Sequence, residues 1–337
     1  MLYHMGLNEN QKNCLLNKLC SFLRRNLKQS ICYYPDSFGL ELKKLLAKKY
    51  VLSPENIFIS NGSDEALFLI VSTFKQITHI ICPEHTFMSY QYCAKFFQKK
   101  VTQIPLNHYT ISVEETIKKI TKNSLIIIPN PHNPCGTYLN DEQINILIKT
   151  CQKKKAYLLV DEAYGEFAEK EQYDYKSAIK KPYSKLIVLR TFSKFYGLAG
   201  LRCGYVVASK KIIKEINVVK NILVYNVNNF ALLSAQFLLE NETEAKNRKN
   251  FQYIYVLKKK LYNFCDRYHL EYIKSSTNFV LINVKNADDI YYKLLNKKIQ
   301  TKSCSVFGYP QFLRVTLSSK KDLKIFQREI HKLVVQS

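Results

Sequence analysis

The chain has 337 residues, 47% of them hydrophobic, and a formal charge of +24 from 51 Lys and Arg against 27 Asp and Glu. That length suits one large domain with a smaller companion, and the composition is that of a folded globular protein rather than a disordered or fibrous one. No apolar run approaches the roughly 18 residues of a membrane span, so no membrane partner is expected.

The first residues lack the charged start and apolar stretch of a signal peptide. Ten cysteines are scattered without CxxC pairs. This pattern argues against a disulfide framework and against a metal site, and it predicts reduced thiols in a cytoplasmic protein. The basic residues are spread as doublets such as Lys43-Lys44, Lys210-Lys211 and Lys320-Lys321. Such a distribution reads as solvated surface rather than a nucleic-acid groove, although a basic field still attracts an anionic substrate.

Short apolar runs alternate with helical stretches, which predicts an α/β fold. Strands are predicted over 56–60, 79–82, 124–129, 156–160, 185–189 and 204–208, several of them apolar throughout, as for strands buried on both faces. Helices are predicted over 63–74 and 141–153, the second opened by a capping box of Asn140 and Gln143. Beyond about residue 230 the pattern changes. A long helix over 243–268 precedes strands at 270–273 and 279–284, a helix at 287–297, a strand at 312–317 and a last helix at 321–334. The expected domains are a large one over 36–230 and a smaller α+β one made of 1–35 joined to 231–337.

The chemistry concentrates in four places. Asn61-Gly62-Ser63-Asp64-Glu65 follows a strand and opens a helix, where free N–H groups and the helix dipole suit a phosphate. Asn130-Pro131-His132-Asn133-Pro134-Cys135-Gly136 follows another strand. Asp161, before Glu162, Ala163 and Tyr164, ends a third, at the carboxyl edge where α/β sheets place ligands. Thr191-Phe192-Ser193-Lys194 leads to Arg202 eight residues later, with Gly200 and Gly204 marking a tight chain path. An amine, a carboxylate, and a cation with hydroxyls together read as a pyridoxal phosphate (PLP) site. Lys194 would hold the aldehyde and Asp161 the pyridine nitrogen. Gly62, Thr191, Ser193 and Arg202 would take the phosphate, and Asn133 with Tyr164 the ring oxygen.

These motifs resemble the fold-type I PLP enzymes of the aminotransferase class I/II superfamily, and within it the histidinol-phosphate aminotransferases. The resemblance also draws on Asn8-Glu9-Asn10, Tyr34-Pro35-Asp36, Thr277-Asn278-Phe279 and Leu313-Arg314-Val315-Thr316, so it runs through nearly the whole chain. It implies a mostly parallel central sheet with helices on both faces, plus a smaller α+β domain. Lys194 would carry the cofactor and shuttle the substrate proton, its pKa lowered by burial and by Arg202. The phosphate positions become Gly62, Ser63, Asp64, Thr191, Ser193 and Arg202, with Asp64 contributing only its main-chain N–H. Phe87 matches the aromatic that stacks on the ring, and Tyr34 the tyrosine that reaches the neighbouring subunit's phosphate in a homodimer. Arg314 and Asn10 are the expected substrate contacts.

Three departures stand out. Lys302 occupies the place of a second substrate arginine and supplies a point charge without the planar fork. Thr316-Leu317-Ser318-Ser319 replaces the usual turn after Arg314, and only seven residues precede Asn8. The implied reaction is transfer of an amino group between glutamate and a phosphorylated ketone or aldehyde. Histidinol phosphate and smaller compounds such as serinol phosphate both remain open as the amine. A decarboxylase of serine or threonine phosphate is the alternative that shares the cofactor motifs, and a basic nucleic-acid binder is the remote one.

Overall fold

The computed structural model describes residues 2–335. Its centre is a sheet of seven strands: β1 (Ile57–Ser60), β2 (His79–Pro83), β3 (Lys100–Ile104), β4 (Ser124–Pro129), β5 (Tyr157–Asp161), β6 (Leu186–Thr191) and β7 (Gly204–Ala208), in the order β1-β7-β6-β5-β4-β2-β3. The pairings from β3 through to β6 are parallel, and β7 runs antiparallel to both of its neighbours. The expected mostly parallel α/β sheet is therefore what forms.

The alternation of side chains along each strand explains why these segments read as unbroken apolar runs. Leu125 and Ile127 of β4, Leu159 of β5 and Leu189 of β6 pack on one face with Leu67, Ile70 and Ile213. Ile126 and Ile128, Leu158 and Val160, and Val188 pack on the other with Leu147 and Ile254. Helices Gly62–Thr73, Ser89–Phe96 and Lys210–Lys220 supply the first face. Helix Asp141–Lys154 contributes to the second and carries the expected capping box, with Asn140 Oδ1 accepting from Gln143 N at 2.9 Å.

A second sheet follows: β8 (Tyr272–Ile273), β9 (Phe279–Asn283), β10 (Lys302–Ser303) and β11 (Phe312–Thr316), ordered β8-β9-β11-β10 and antiparallel throughout. Helix Glu244–Arg267, capped by Thr243, precedes it, and helices Ala287–Asn296 and Lys320–Ile330 complete this part. The N-terminal residues Tyr3–His4 lie parallel to Ile299–Gln300. Thr316 N bonds to Met5 O at 2.8 Å. This tethers residues 3–10 beside the end of β11.

Element boundaries differ from the sequence reading by one or two residues at most of the ends that it names. Unnamed there, among others, are the edge strand β3, strand β10 and the helices Leu16–Arg25, Leu40–Tyr50, Ser89–Phe96, Lys210–Lys220 and Asn229–Asn241. β3 is the outermost strand, and only Ile104 of its five residues is buried. An edge position leaves a strand without the apolar run that betrays its neighbours.

Candidate active site

The carboxyl ends of β4, β5 and β6, the turn after β1 and the end of the second sheet surround one cavity of about 470 Å³. Ser63, Asp64, Phe87, Asn133, Asp161, Tyr164, Thr191, Ser193, Lys194, Arg202, Lys302 and Arg314 all line it. Residues from eight separate stretches of sequence meet there, because parallel strands deliver their following loops to one edge.

The turn after β1 forms an anion cup. Gly62 has φ of +80°, and a Cβ on it would lie 2.5 Å from Arg202 Nη2, so only glycine admits the guanidinium this close. Gly204 is similarly confined: a Cβ there would sit 2.8 Å from the Gly62 carbonyl carbon. Gly200 is a correction to the sequence reading. A Cβ on it would meet nothing within 4 Å, so the tight path is set by Gly204 and by Arg202 itself, which takes a left-handed φ of 57°. Thr191 Oγ1 donates to Ser193 Oγ at 3.0 Å, and Arg202 Nη1 lies 3.4 Å from the same Ser193 oxygen. The Asp64 carboxylate lines the same cavity and pairs with Arg202 Nη2 at 3.1 Å. Both groups are about half exposed, and opposite charges so placed attract across solvent.

Asp161 sits at the end of β5 with its Oδ2 accepting from Tyr90 Oη at 2.7 Å and its Oδ1 from Ala163 N at 3.0 Å. Burial pushes its pKa up to about 6, against these two hydrogen bonds. Its neighbour Glu162 turns to other surroundings. Glu162 binds Arg190 at 2.6 Å, Ser177 at 2.7 Å and the Ala178 N–H at 2.7 Å. Glu166 and Glu169 complete the knot around Arg190 at 3.1 and 2.6 Å.

Lys194 donates to Leu7 O at 3.0 Å and lies over the Tyr164 ring. Burial brings its amine down to about 8, helped by the charges of Arg314 and Arg202. Arg314 contributes more than the Arg202 named from sequence. Arg314 itself is 6% exposed, bonds Asn133 Oδ1 at 2.6 Å and Gly6 O at 2.9 Å, and packs between Phe279 and Phe307. Lys302 pairs with it across β10 and β11.

Phe87 lines the cavity and stands edge-on to Tyr90, with ring centres 5.8 Å apart. Tyr34 does not reach its own chain's cavity; it is 82% exposed and stacks on Tyr225. Asn10, expected as a substrate contact, does not line the cavity. Its side chain donates to Phe195 O at 2.8 Å and is used up holding the loop that carries Lys194. Asn8 lines the cavity instead, donating to Tyr164 Oη at 2.8 Å. The sequence reading missed Asn8, Leu7 and Tyr90. Tyr90 carries no signal among 24 tyrosines. Asn8 carries a weak one, since asparagine is among the few side chains that accept its left-handed φ of 57°.

The family described as aminotransferase class I and II matches residues 4–330. The chain belongs to this family. Similar class I/II aminotransferases include histidinol-phosphate aminotransferase 1 of Mannheimia succiniciproducens, 33% identical over 321 residues, spanning 93% of this chain and 82% of that protein. The histidinol-phosphate aminotransferase of Caldicellulosiruptor saccharolyticus is 34% identical over 324 residues, spanning 94% and 86%. The structure of the histidinol-phosphate aminotransferase of Clostridium acetobutylicum superimposes with a TM-score of 0.88 at 25% identity, covering both chains fully at 100%. The protein is thus a PLP-dependent transaminase of fold type I. Its residues fit that cofactor: the glycine-made cup with Arg202 and two hydroxyls suits a phosphate, the buried carboxylate suits a pyridine nitrogen, and the depressed amine suits an aldehyde.

Proposed function

We propose that this aminotransferase moves an amino group between glutamate and a small phosphorylated ketone or aldehyde, as in the histidinol phosphate/imidazole acetol phosphate pair. The observation that carries this reading is the pairing of Lys302 with Arg314 on adjacent strands, both facing the cavity of Lys194. A guanidinium suits the glutamate carboxylate, and an ammonium beside it suits a dianionic phosphate.

When bound, the pyridine ring takes up the electron pair released at the substrate carbon. Lys194 moves the proton at that carbon. An amine held near 8 is partly neutral at physiological pH, so it can accept that proton and return it. Asp161 keeps the ring nitrogen protonated, held in place by Tyr90 and the Ala163 N–H. Gly62, Ser63, Thr191, Ser193 and Arg202 would hold the cofactor phosphate, with Asp64 giving only its main-chain N–H. Asn133 spends its Oδ1 on Arg314, which leaves its amide N–H groups for the ring oxygen alongside Tyr164. Phe87, on the cavity wall, would stack on the ring.

The working unit is a homodimer in which Tyr34 serves the partner's phosphate cup. Ile31, Tyr33, Val218 and Ile222 are 66–80% exposed in the same two stretches of chain as the stacked Tyr34 and Tyr225, apolar surface that a second copy would cover. Residues 36–230 act as the cofactor domain, and 1–35 with 231–337 as the domain that carries Arg314. All ten cysteines are unpaired, and among the described residues no helix is long and apolar enough to cross a membrane. Both facts are in keeping with work in the cytoplasm.

A half-reaction tests this reading. Glutamate should bleach the visible absorbance of the PLP-loaded protein, and imidazole acetol phosphate should restore it; restoration by dihydroxyacetone phosphate alone would assign the smaller acceptor. An unchanged spectrum with glutamate, together with CO2 release from phosphoserine or phosphothreonine, would replace it with a decarboxylase.

A further inference from the structure

Residues Gly6 to Asn10 cross the wall of the cavity as a strap, and Asn8 is the point where the strap touches a tyrosine of the site. Asn8 Nδ2 donates to Tyr164 Oη at 2.8 Å. Thr316 Oγ1 accepts the Asn8 main-chain N–H at 3.0 Å and donates to Asn8 Oδ1 at 3.1 Å. Asn278 Nδ2 donates to the Asn8 carbonyl at 3.1 Å. Asn8, Thr316 and Tyr164 are 1%, 0% and 4% exposed, so these bonds are made inside protein.

The pattern fixes which way the Asn8 amide faces. Thr316 has a single proton to give. Its oxygen already accepts a main-chain N–H, and Asn8 Oδ1 is the acceptor in reach. A reversed amide would leave that hydroxyl proton buried without an acceptor, an unfavourable arrangement. The amide nitrogen therefore faces Tyr164, and the phenol oxygen is the acceptor of that bond. We propose that Asn8 is a positioning residue that sets the direction of the Tyr164 hydroxyl, turning its O–H proton away from the strap and into the cavity. The same bond steadies negative charge on the phenol oxygen, opposing the rise that burial imposes, and so makes Tyr164 a stronger donor. This inference rests on the reading of Tyr164 as partner of the ring oxygen, but it concerns a bond within the chain that exists without the cofactor.

The test uses two readouts. Apoprotein carrying ring-labelled tyrosine is examined by carbon NMR at Cζ, with the Tyr164 signal identified by its loss in Tyr164→Phe. Asn8→Asp keeps the shape but offers only acceptors, so Tyr164 should swing to donate to it and its Cζ resonance should move. In the PLP-loaded enzyme the same variant should shift the pH midpoint of the visible absorbance upward by about one unit, the worth of one hydrogen bond. A cofactor linkage that loses a proton donor at the ring oxygen holds its own proton harder. Tyr164→Phe should erase the effect of Asn8→Asp on that midpoint. An unmoved Cζ signal with an unmoved midpoint overturns the proposal, even if kcat falls. If Asn8→Asp does not fold, Thr316→Val, which frees the amide to turn, must move the Cζ signal the same way by a smaller amount, and an unmoved signal there also overturns it. A protein that takes up no PLP refutes the proposed function instead, and leaves the Cζ readout to judge this inference alone.

Discussion

The anion cup and the strap face each other across one cavity, yet they are built in opposite ways. The cup is made of two short connections, Gly62 to Asp64 directly after β1 and Thr191 to Arg202 after β6, which Arg202 joins to Asp64 across 138 residues. The strap depends on partners hundreds of residues away, with Asn8 bonded to Thr316 at a separation of 308. The cup is fixed by turn chemistry, a helix N-terminus and the pairing of β1 with β7, so it needs only the large sheet to form. The strap is fixed only when the second sheet is complete. Cofactor binding should therefore tolerate changes at the strap that substrate handling does not.

The strongest challenge to this contrast is Lys194, which touches both sides. Lys194→Ala should lower turnover by at least about 10⁴-fold, since it removes the proton carrier as well as the attachment point. Circular dichroism should show the fold intact, and steady-state rates read the loss. Arg314→Ala belongs to the strap side. It should raise KM for glutamate roughly tenfold to a hundredfold, from loss of charge-assisted bonds of about 1.5–3 kcal/mol, while PLP affinity stays near wild type. An equal loss of PLP affinity would erase the distinction between the two sides. Gly62→Ala is the mirror experiment. A Cβ at φ +80° and 2.5 Å from Arg202 should weaken PLP binding, at about 1–3 kcal/mol for a strained backbone site, as measured by equilibrium titration. Its KM for glutamate, taken at saturating PLP, should change little.

The smallest effect is one of pH. The reactive form of Lys194 is the neutral amine, and its pKa of about 8 lies below the ordinary 10.5. The rate at which apoprotein captures PLP should rise with pH and level off above about 8, changing roughly tenfold per unit below that point. Arg314→Ala removes one of the charges that lower this pKa, so the plateau should begin at higher pH in that variant. Stopped-flow absorbance checks both.

How much of this was legible follows the same division. Strands β4 and β7 were read to the residue because their sides are both buried, and a run such as Ser124–Pro129 has no polar interruption. The cup residues are legible because they fall in two compact motifs, 61–65 and 191–204. Gly200 was misread because a glycine pattern does not say which glycine is crowded. Asn10 is named from sequence where Asn8 lines the cavity, because two asparagines two apart look alike until their distant partners, Phe195 and Tyr164, are known. The edge strand β3 stayed hidden because one exposed side and three polar residues of five mask its period.

Asp161 and Glu162 are consecutive acids with unrelated duties, one toward the cavity and one into the knot around Arg190. A pleated chain alternates its side chains with a period of two, so a one-residue slip of β5 would exchange them. The longer acid would then crowd the ligand and the shorter one would fall short of Arg190. The placement of one proton in this enzyme is thus decided by the counting frame of a single strand.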